Sequence, residues 1–165
     1  MFPERSETVV LVAEDDPNAL AGYLEFLATA GFVAVGRTDG NAALALALET
    51  VPDIVVTDIA MPGIDGFALA AALHAHESTR LVPVVGMTGR WNAEMQNDAL
   101  RAGLAAMIAK PCMPSHLMAE IERVLRRSRL MAAVLNTVNN SSLRTVSPLT
   151  PAGLRNAVLR RRNGS

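Results

Sequence analysis

The chain predicts an α/β fold, a doubly wound five-stranded parallel sheet with helices on both faces. Strand-length apolar runs alternate with helix-patterned stretches five times. The runs are close to continuously hydrophobic, as in parallel strands covered on both faces, rather than alternating apolar and polar. Right-handed crossovers then wind such a chain into a sheet whose ligands sit beyond the carboxyl ends of its strands. At 165 residues the chain has room for one domain with its own core.

The first strand is "TVVLVAE" (8–14). Asp16 and Pro17 supply an N-cap acid and a proline at the first helical position. Leu20, Leu24 and Leu27 continue at helical spacing, and Gly31 ends that helix. "FVAVG" (32–36) is the second strand, and "GNAALALALE" (40–49) the second helix. "DIVVTD" (53–58) is the third strand, closing on an acid. "MPGIDG" (61–66) is a loop of turn residues before a third helix, "FALAAALHAH" (67–76). "LVPVVGMT" (81–88) is the fourth strand, and "WNAEMQNDALRAG" (91–103) a fourth helix with a glycine end. "AAMIA" (105–109) is a short fifth strand. Pro114 opens a long last helix with Leu117, Ile121, Val124 and Leu125 on its buried side.

From Ser128 onward the pattern weakens, and 136–148 reads as a polar linker. Residues 150–162 are long enough for one short helix capped by Thr150 and Pro151. The expected organisation is a domain over 7–127 and a basic C-terminal extension over 128–165. Charge follows the same division. Residues 1–122 hold sixteen acids and six bases (−10), and residues 123–165 hold nine Arg and no acid (+9).

The chemistry-bearing residues fall at strand ends. Glu14, Asp15 and Asp16 follow the first strand, Asp58 closes the third, Thr88 the fourth and Lys110 the fifth. In a parallel sheet these positions share one edge. Lys110 is also the only lysine among fourteen Arg, a compact ammonium where the chain otherwise uses guanidinium. Clustered carboxylates resist joint ionisation without a cation, and oxygen ligands suit a hard ion such as Mg²⁺ or Mn²⁺. A metal, a hydroxyl and an ammonium around one carboxylate suit phosphoryl transfer, with the carboxylate as acceptor and an aspartyl phosphate as product. Asp58 stands alone at its strand end and is the expected acceptor.

"VVLVAEDDPNAL", "PDIVVTDIAMPGIDGFAL", "VPVVGMTG", "ALRAG" and "IAKP" together resemble the receiver domain of two-component response regulators, over about residues 8–126. The resemblance implies a flavodoxin-like sheet of order 2-1-3-4-5. It implies that Asp58 accepts a phosphoryl group from a sensor histidine kinase or histidine phosphotransfer protein. It further implies Mg²⁺ held by Glu14, Asp15, Asp58 and the backbone carbonyl of Ala60, with Thr88 and Lys110 on the phosphoryl oxygens, and a cis Lys110–Pro111 bond. The family's usual Tyr or Phe three residues before the lysine is Met107 here, at the position that normally reads out the switch. Gly89, Ala105 and Ala106 also depart from the usual residues. The resemblance implies a signalling domain of the stand-alone type rather than an enzyme, assisting its own phosphorylation and dephosphorylation. Its output would be protein–protein contact with a partner of unspecified identity or with a second copy, without a DNA-binding domain.

Other readings stand beside this one. A receiver used only for binding, never phosphorylated, would keep the fold without the chemistry. An Asp-nucleophile phosphohydrolase would need a second Asp two residues after Asp58, where Ala60 stands. No P-loop or Gly-rich dinucleotide turn follows the first strand. Asp16 reads as a helix cap, Trp91 as a packing or partner-surface residue, and His116 as a solvated first-turn residue. His74 and His76 sit two apart and do not share a helix face. Arg160–Arg162 reads as a solvated tail, not a nucleic-acid site, since no aromatic interleaves it. The single Cys112 excludes an internal disulfide and suits the cytosol. The apolar runs are too short to cross a bilayer, and the acid-flanked N-terminus does not resemble a signal peptide.

Overall fold

The computed structural model describes residues 7–142. Strands β1 (Val9–Ala13), β2 (Val33–Arg37), β3 (Ile54–Asp58), β4 (Val84–Thr88) and β5 (Ala106–Ala109) alternate with helices α1 (Pro17–Thr29), α2 (Gly40–Thr50), α3 (Gly66–Ala75), α4 (Ala93–Ala102) and α5 (Pro114–Ser142). All four strand pairings are parallel, in the order β2-β1-β3-β4-β5. This is the doubly wound sheet expected from the sequence.

Side-chain alternation sends successive strand residues to opposite faces. Val10, Val12, Ile54, Val56, Val85, Met87 and Ile108 join residues of α1 and α5 in one apolar layer. Leu11, Ala13, Val55 and Val84 join residues of α2 and α3 in the other. β2 lies at an edge and stays half-exposed, whereas β3 and β4 are buried throughout.

The helix starts follow local chemistry. Asp16 accepts from the backbone N–H groups of Asn18 and Ala19, ahead of Pro17. Asp39, Asp65 and Asn92 cap α2, α3 and α4 in the same way. Gly31 and Gly103 follow α1 and α4 at positive φ (96° and 74°). α2 instead ends on Val51 at φ 46°, left-handed backbone that a β-branched side chain rarely adopts.

Most boundaries differ from the sequence reading by a residue or two, and two differ by more. β4 begins at Val84 and not at 81, because Leu81, Val82 and Pro83 finish a turn in which the Val82 N–H bonds to Thr79. α5 runs through 136–142, which composition had marked as linker. Leu130, Met131, Ala132, Ala133 and Leu135 are strong helix formers that carry it forward, and Thr137 turns its hydroxyl back onto the Ala133 carbonyl. The chain divides into two compact units between Arg129 and Leu130. The expected short helix at 150–162, with Arg155 and Arg160–Arg162, lies outside the described residues. Among those residues no helix is long and apolar enough to cross a membrane.

Candidate functional site

Because every strand runs the same way, the carboxyl ends of β1, β3, β4 and β5 open on one edge. Glu14 and Asp15 leave β1 there, Asp58 and Thr88 end β3 and β4, and Lys110 follows β5. The Lys110 backbone N–H is tied to the Thr88 carbonyl at 2.7 Å, which keeps the β5 exit in register. The Lys110–Pro111 bond is cis.

Glu14, Asp15 and Asp58 each offer a carboxylate oxygen within 4.8 Å of the others. The Lys110 ammonium donates to Asp58 Oδ2 at 2.8 Å and to Glu14 Oε2 at 2.5 Å. The Glu14 side chain is 2% exposed and that of Asp58 12%, so both carboxylates are largely withdrawn from water, while Asp15 remains exposed.

The electrostatics are those of a site short of positive charge. Burial raises the Glu14 pKa above its ordinary 4.5, and this outweighs the Lys110 hydrogen bond, the Asp16 N–H and the ammonium's attraction. Burial pulls the other way on Lys110, yet its hydrogen bonds to Asp58 and Glu14 hold it well above the ordinary 10.5. The two directions point to different balances for one ion pair: the pair favours charged Lys110, but burying Glu14 costs more than one ammonium returns. Three carboxylates facing one ammonium leave a net negative pocket. Its donor set is all oxygen, with one exposed member, which fits a small divalent cation that keeps part of its water.

Asp58 is fixed from several directions. The Ala60 N–H donates to Asp58 Oδ1 at 3.1 Å, and the Thr57 hydroxyl donates to the Asp58 carbonyl at 2.8 Å. Gly66 closes the loop after Asp58 by donating to the Ile59 carbonyl at 2.9 Å. A Cβ at Gly66 would stand 2.5 Å from the Asp58 carbonyl oxygen and 2.9 Å from Ile59 Cα. The residue types around "DIAMPGIDG" mark a turn, but nothing in them shows that a helix start must pass this close to Asp58.

Thr88 is buried at the same edge, with its hydroxyl engaged toward α4. It donates to the Arg90 carbonyl at 2.8 Å, accepts from the Arg90 N–H at 3.0 Å and has Met95 Sδ at 3.1 Å. Met95 was not a site candidate from sequence. Met107 is half-buried on β5, and its Sδ lies 2.5 Å from where a Cβ on Gly86 would stand. The glycine therefore makes room for the thioether. Asp16 both caps α1 and donates its backbone N–H to Glu14 Oε1 at 3.2 Å.

The remaining candidates have local roles or exposed positions. His74 bonds to the Val82 carbonyl and His76 to Ser78. Cys112 packs against the core, His116 is exposed, and Trp91 is 53% exposed.

Comparison with known proteins agrees with this geometry. The sequence profile of the response regulator receiver domain matches residues 10–122. The chain is 34% identical over 140 residues to the transcriptional regulatory protein PrrA of Mycobacterium bovis, covering 85% of this chain and 57% of PrrA. It is 33% identical over 136 residues to the transcriptional regulatory protein PdtaR of Mycobacterium tuberculosis, covering 82% of this chain and 65% of PdtaR. The chain thus spans only part of the curated relatives it matches. Among solved structures, the chemotaxis protein CheY4 of Vibrio cholerae superposes with a TM-score of 0.69 at 25% identity, over 71% of this chain and 98% of that one. A response regulator of Desulfuromonas acetoxidans superposes at 0.66 with 29% identity, over 72% and 97%. Such domains are signalling modules that bind Mg²⁺ at an acidic pocket and interact with histidine kinases or phosphotransfer proteins. With its profile match, its sheet order and its acidic edge in agreement, the chain belongs to the response regulator receiver domain family.

Proposed function

We propose that Asp58 accepts a phosphoryl group from a sensor histidine kinase or a histidine phosphotransfer protein, and that the protein signals through the resulting change in its protein contacts. The observation that carries this reading is the Lys110 ammonium bridging Asp58 and Glu14 beside Asp15. An Asp58 oxygen forms the new bond to phosphorus. The phosphorus–nitrogen bond of the donor breaks, and its electron pair and a proton end on the donor imidazole. Asp58 Oδ1 and Oδ2 are each held by one donor, which fixes the carboxylate while leaving acceptor capacity for attack. On this reading Lys110, which bonds Asp58, offsets charge on the transferred oxygens, and Thr88 donates to them once its hydroxyl leaves Arg90.

Glu14, Asp15, Asp58 and the Ala60 carbonyl would hold Mg²⁺ or Mn²⁺. When bound, that ion supplies charge neutralisation of the phosphoryl group and its alignment with Asp58. The work is expected in the cytoplasm. Residues 7–127 carry the chemistry and 128–165 act on the output side. Removing 137–165 therefore leaves Asp58 phosphorylation nearly unchanged.

Incubation with a small phosphodonor, followed by intact-mass measurement, tests the assignment. The wild type gains one phosphoryl group with Mg²⁺ and none in excess chelator, and Asp58→Asn gains none. A second reading, a receiver that binds without being phosphorylated, draws on Met107 at the switch position and on the Thr88 hydroxyl engaged with Arg90. It predicts no adduct under any of these conditions.

A further inference from the structure

With Asp58 as the phosphoryl acceptor beside a divalent ion, the reading on which this rests, we propose that the first turn of α2 is a positioning element for the pocket. Gly40 and Asn41 set the loop 59–65, and through it the Ala60 carbonyl and N–H beside Asp58. Gly40 is buried, directly after the Asp39 cap. A Cβ built on Gly40 would collide with the Ile64 carbonyl oxygen. It would also stand 2.6 Å from Ile64 Cγ1 and 3.1 Å from the Ile64 carbonyl carbon. Next to it, a Cβ on Gly63, at φ 75°, would stand 2.7 Å from Asn41 Nδ2. Two residues at the start of α2 therefore lie directly against two residues of the loop.

The loop has little freedom to absorb a push at Ile64. On the far side, Asp65 is committed to capping α3 through the Ala68 N–H at 2.8 Å, and the Gly66 N–H donates to the Ile59 carbonyl at 2.9 Å. Gly66 has no room to move inward, with the Asp58 carbonyl against it. Met61 and Ile64 pack on the apolar layer of α2 and α3. What is left to move is the stretch from Ile59 to Gly63, where the Ala60 N–H donates to Asp58 Oδ1 at 3.1 Å. A methyl group at position 40 would press on backbone atoms, so no rotamer change of Ile64 relieves it. A misplacement on the order of 1 Å, made away from the chemistry, can slow a reaction by about a hundredfold. Gly40 and Asn41 act only through the loop.

Titration of the full chain with Mg²⁺, followed by backbone-amide NMR, tests this apart from any turnover. Gly40→Ala should shift the Asp58 and Ala60 amide signals already in metal-free protein. It should weaken Mg²⁺ binding about tenfold, as changes behind a metal's direct ligands commonly do, and slow phosphorylation by a small phosphodonor to a similar degree. Ala45→Gly, exposed on the same helix, loosens α2 without approaching the loop and should bind Mg²⁺ like wild type. In wild type, Mg²⁺ should slow amide exchange at Ala42 and Ala43, which are bonded to Asp39, as well as at 60–64, because coupling between two sites acts in both directions. That measurement decides the matter even where Gly40→Ala does not fold. Wild-type Mg²⁺ affinity in a folded Gly40→Ala, an equal loss in Ala45→Gly, or exchange at Ala42 and Ala43 that ignores bound Mg²⁺ would overturn the role of α2 alone. A wild type that binds no Mg²⁺ would overturn the metal-assisted reading of the pocket, and the role of α2 with it.

Discussion

At the carboxyl edge of the sheet, Glu14, Asp58 and Lys110 are charged groups drawn out of water; along Leu130–Ser142, Leu130, Met131, Val134 and Leu135 are apolar groups left in it. Each region runs against the usual partition of polar outside and apolar inside. On the proposed function, the edge bears the cost of burying carboxylates because a hard cation and a phosphoryl group would be met there by fixed charge in a partly dry pocket. The α5 segment has no charge from Leu130 to Ser142, so burial there would carry no such electrostatic cost. Substitutions at the edge should therefore change both stability and chemistry, whereas substitutions on the α5 stripe should change neither.

The sharpest contrast comes from removing the ammonium. Lys110→Ala strands Glu14 and Asp58, and it should cost about 3 kcal/mol in metal-free protein, the lower end for breaking a buried pair because Lys110 is partly solvated. Added Mg²⁺ should recover part of that loss, and phosphate incorporation should fall sharply. Denaturant unfolding with and without Mg²⁺ measures it. Val134→Asp, on an exposed position, should stay within about 0.5 kcal/mol of wild type. Equal costs for the two variants would erase the distinction between the regions.

Gly66→Ala is next in size. Its Cβ would press on the Asp58 carbonyl and Ile59 Cα, both backbone atoms that move only with the strand end. A loss of about 1–3 kcal/mol, with slower phosphorylation, is expected. Wild-type rates in this variant would show that the loop shifts without carrying Asp58.

Glu14→Gln probes the cost of the buried carboxylate itself. A pKa raised on folding means the Glu14 contribution is fully present below 4.5 and is lost as pH rises through its folded value. Lys110, raised above 10.5, stays charged across that window. In metal-free protein the variant should therefore gain on wild type as pH rises above 4.5, and added Mg²⁺ should reverse the order. Melting curves over a pH series, with and without Mg²⁺, read this directly.

The smallest effect is expected at the opposite end of β3. Val51→Gly relieves left-handed backbone at the end of α2 and should stabilise by about 0.5–1 kcal/mol. Phosphate incorporation should not change, which makes it a control for stability effects that do not reach the pocket.

The same residues separate what local sequence encodes from what only the folded chain decides. Strand ends were legible because parallel strands must be buried on both faces, so an acid closing an apolar run has one place to go. Asp16 with Pro17 announced α1 through cap chemistry alone. Gly66 was not legible as a positioning residue, because its constraint is a through-space approach to Asp58 that no local pattern encodes. The Thr88 hydroxyl is a similar case: its place was predictable, but its engagement with Arg90 and Met95 depends on how the loop before α4 returns. The end of α5 was misread because Asn, Ser and Thr serve both helix ends and linkers, and only the continued backbone decides between them. Val51 was not legible as a left-handed cap either, since a β-branched residue is not what that backbone region favours.

The central claim, that Asp58 is the phosphoryl acceptor, is most directly tested by reductive trapping. The full chain is incubated with a small phosphodonor and Mg²⁺ and then treated with borohydride, which reduces an aspartyl phosphate to homoserine and leaves free carboxylates intact. Peptide sequencing by mass spectrometry then locates the change. Homoserine at position 58 alone, and none there in excess chelator, is the predicted result. Homoserine at Asp15, Asp16 or another acid, or no reduced residue while phosphate is incorporated, would contradict it.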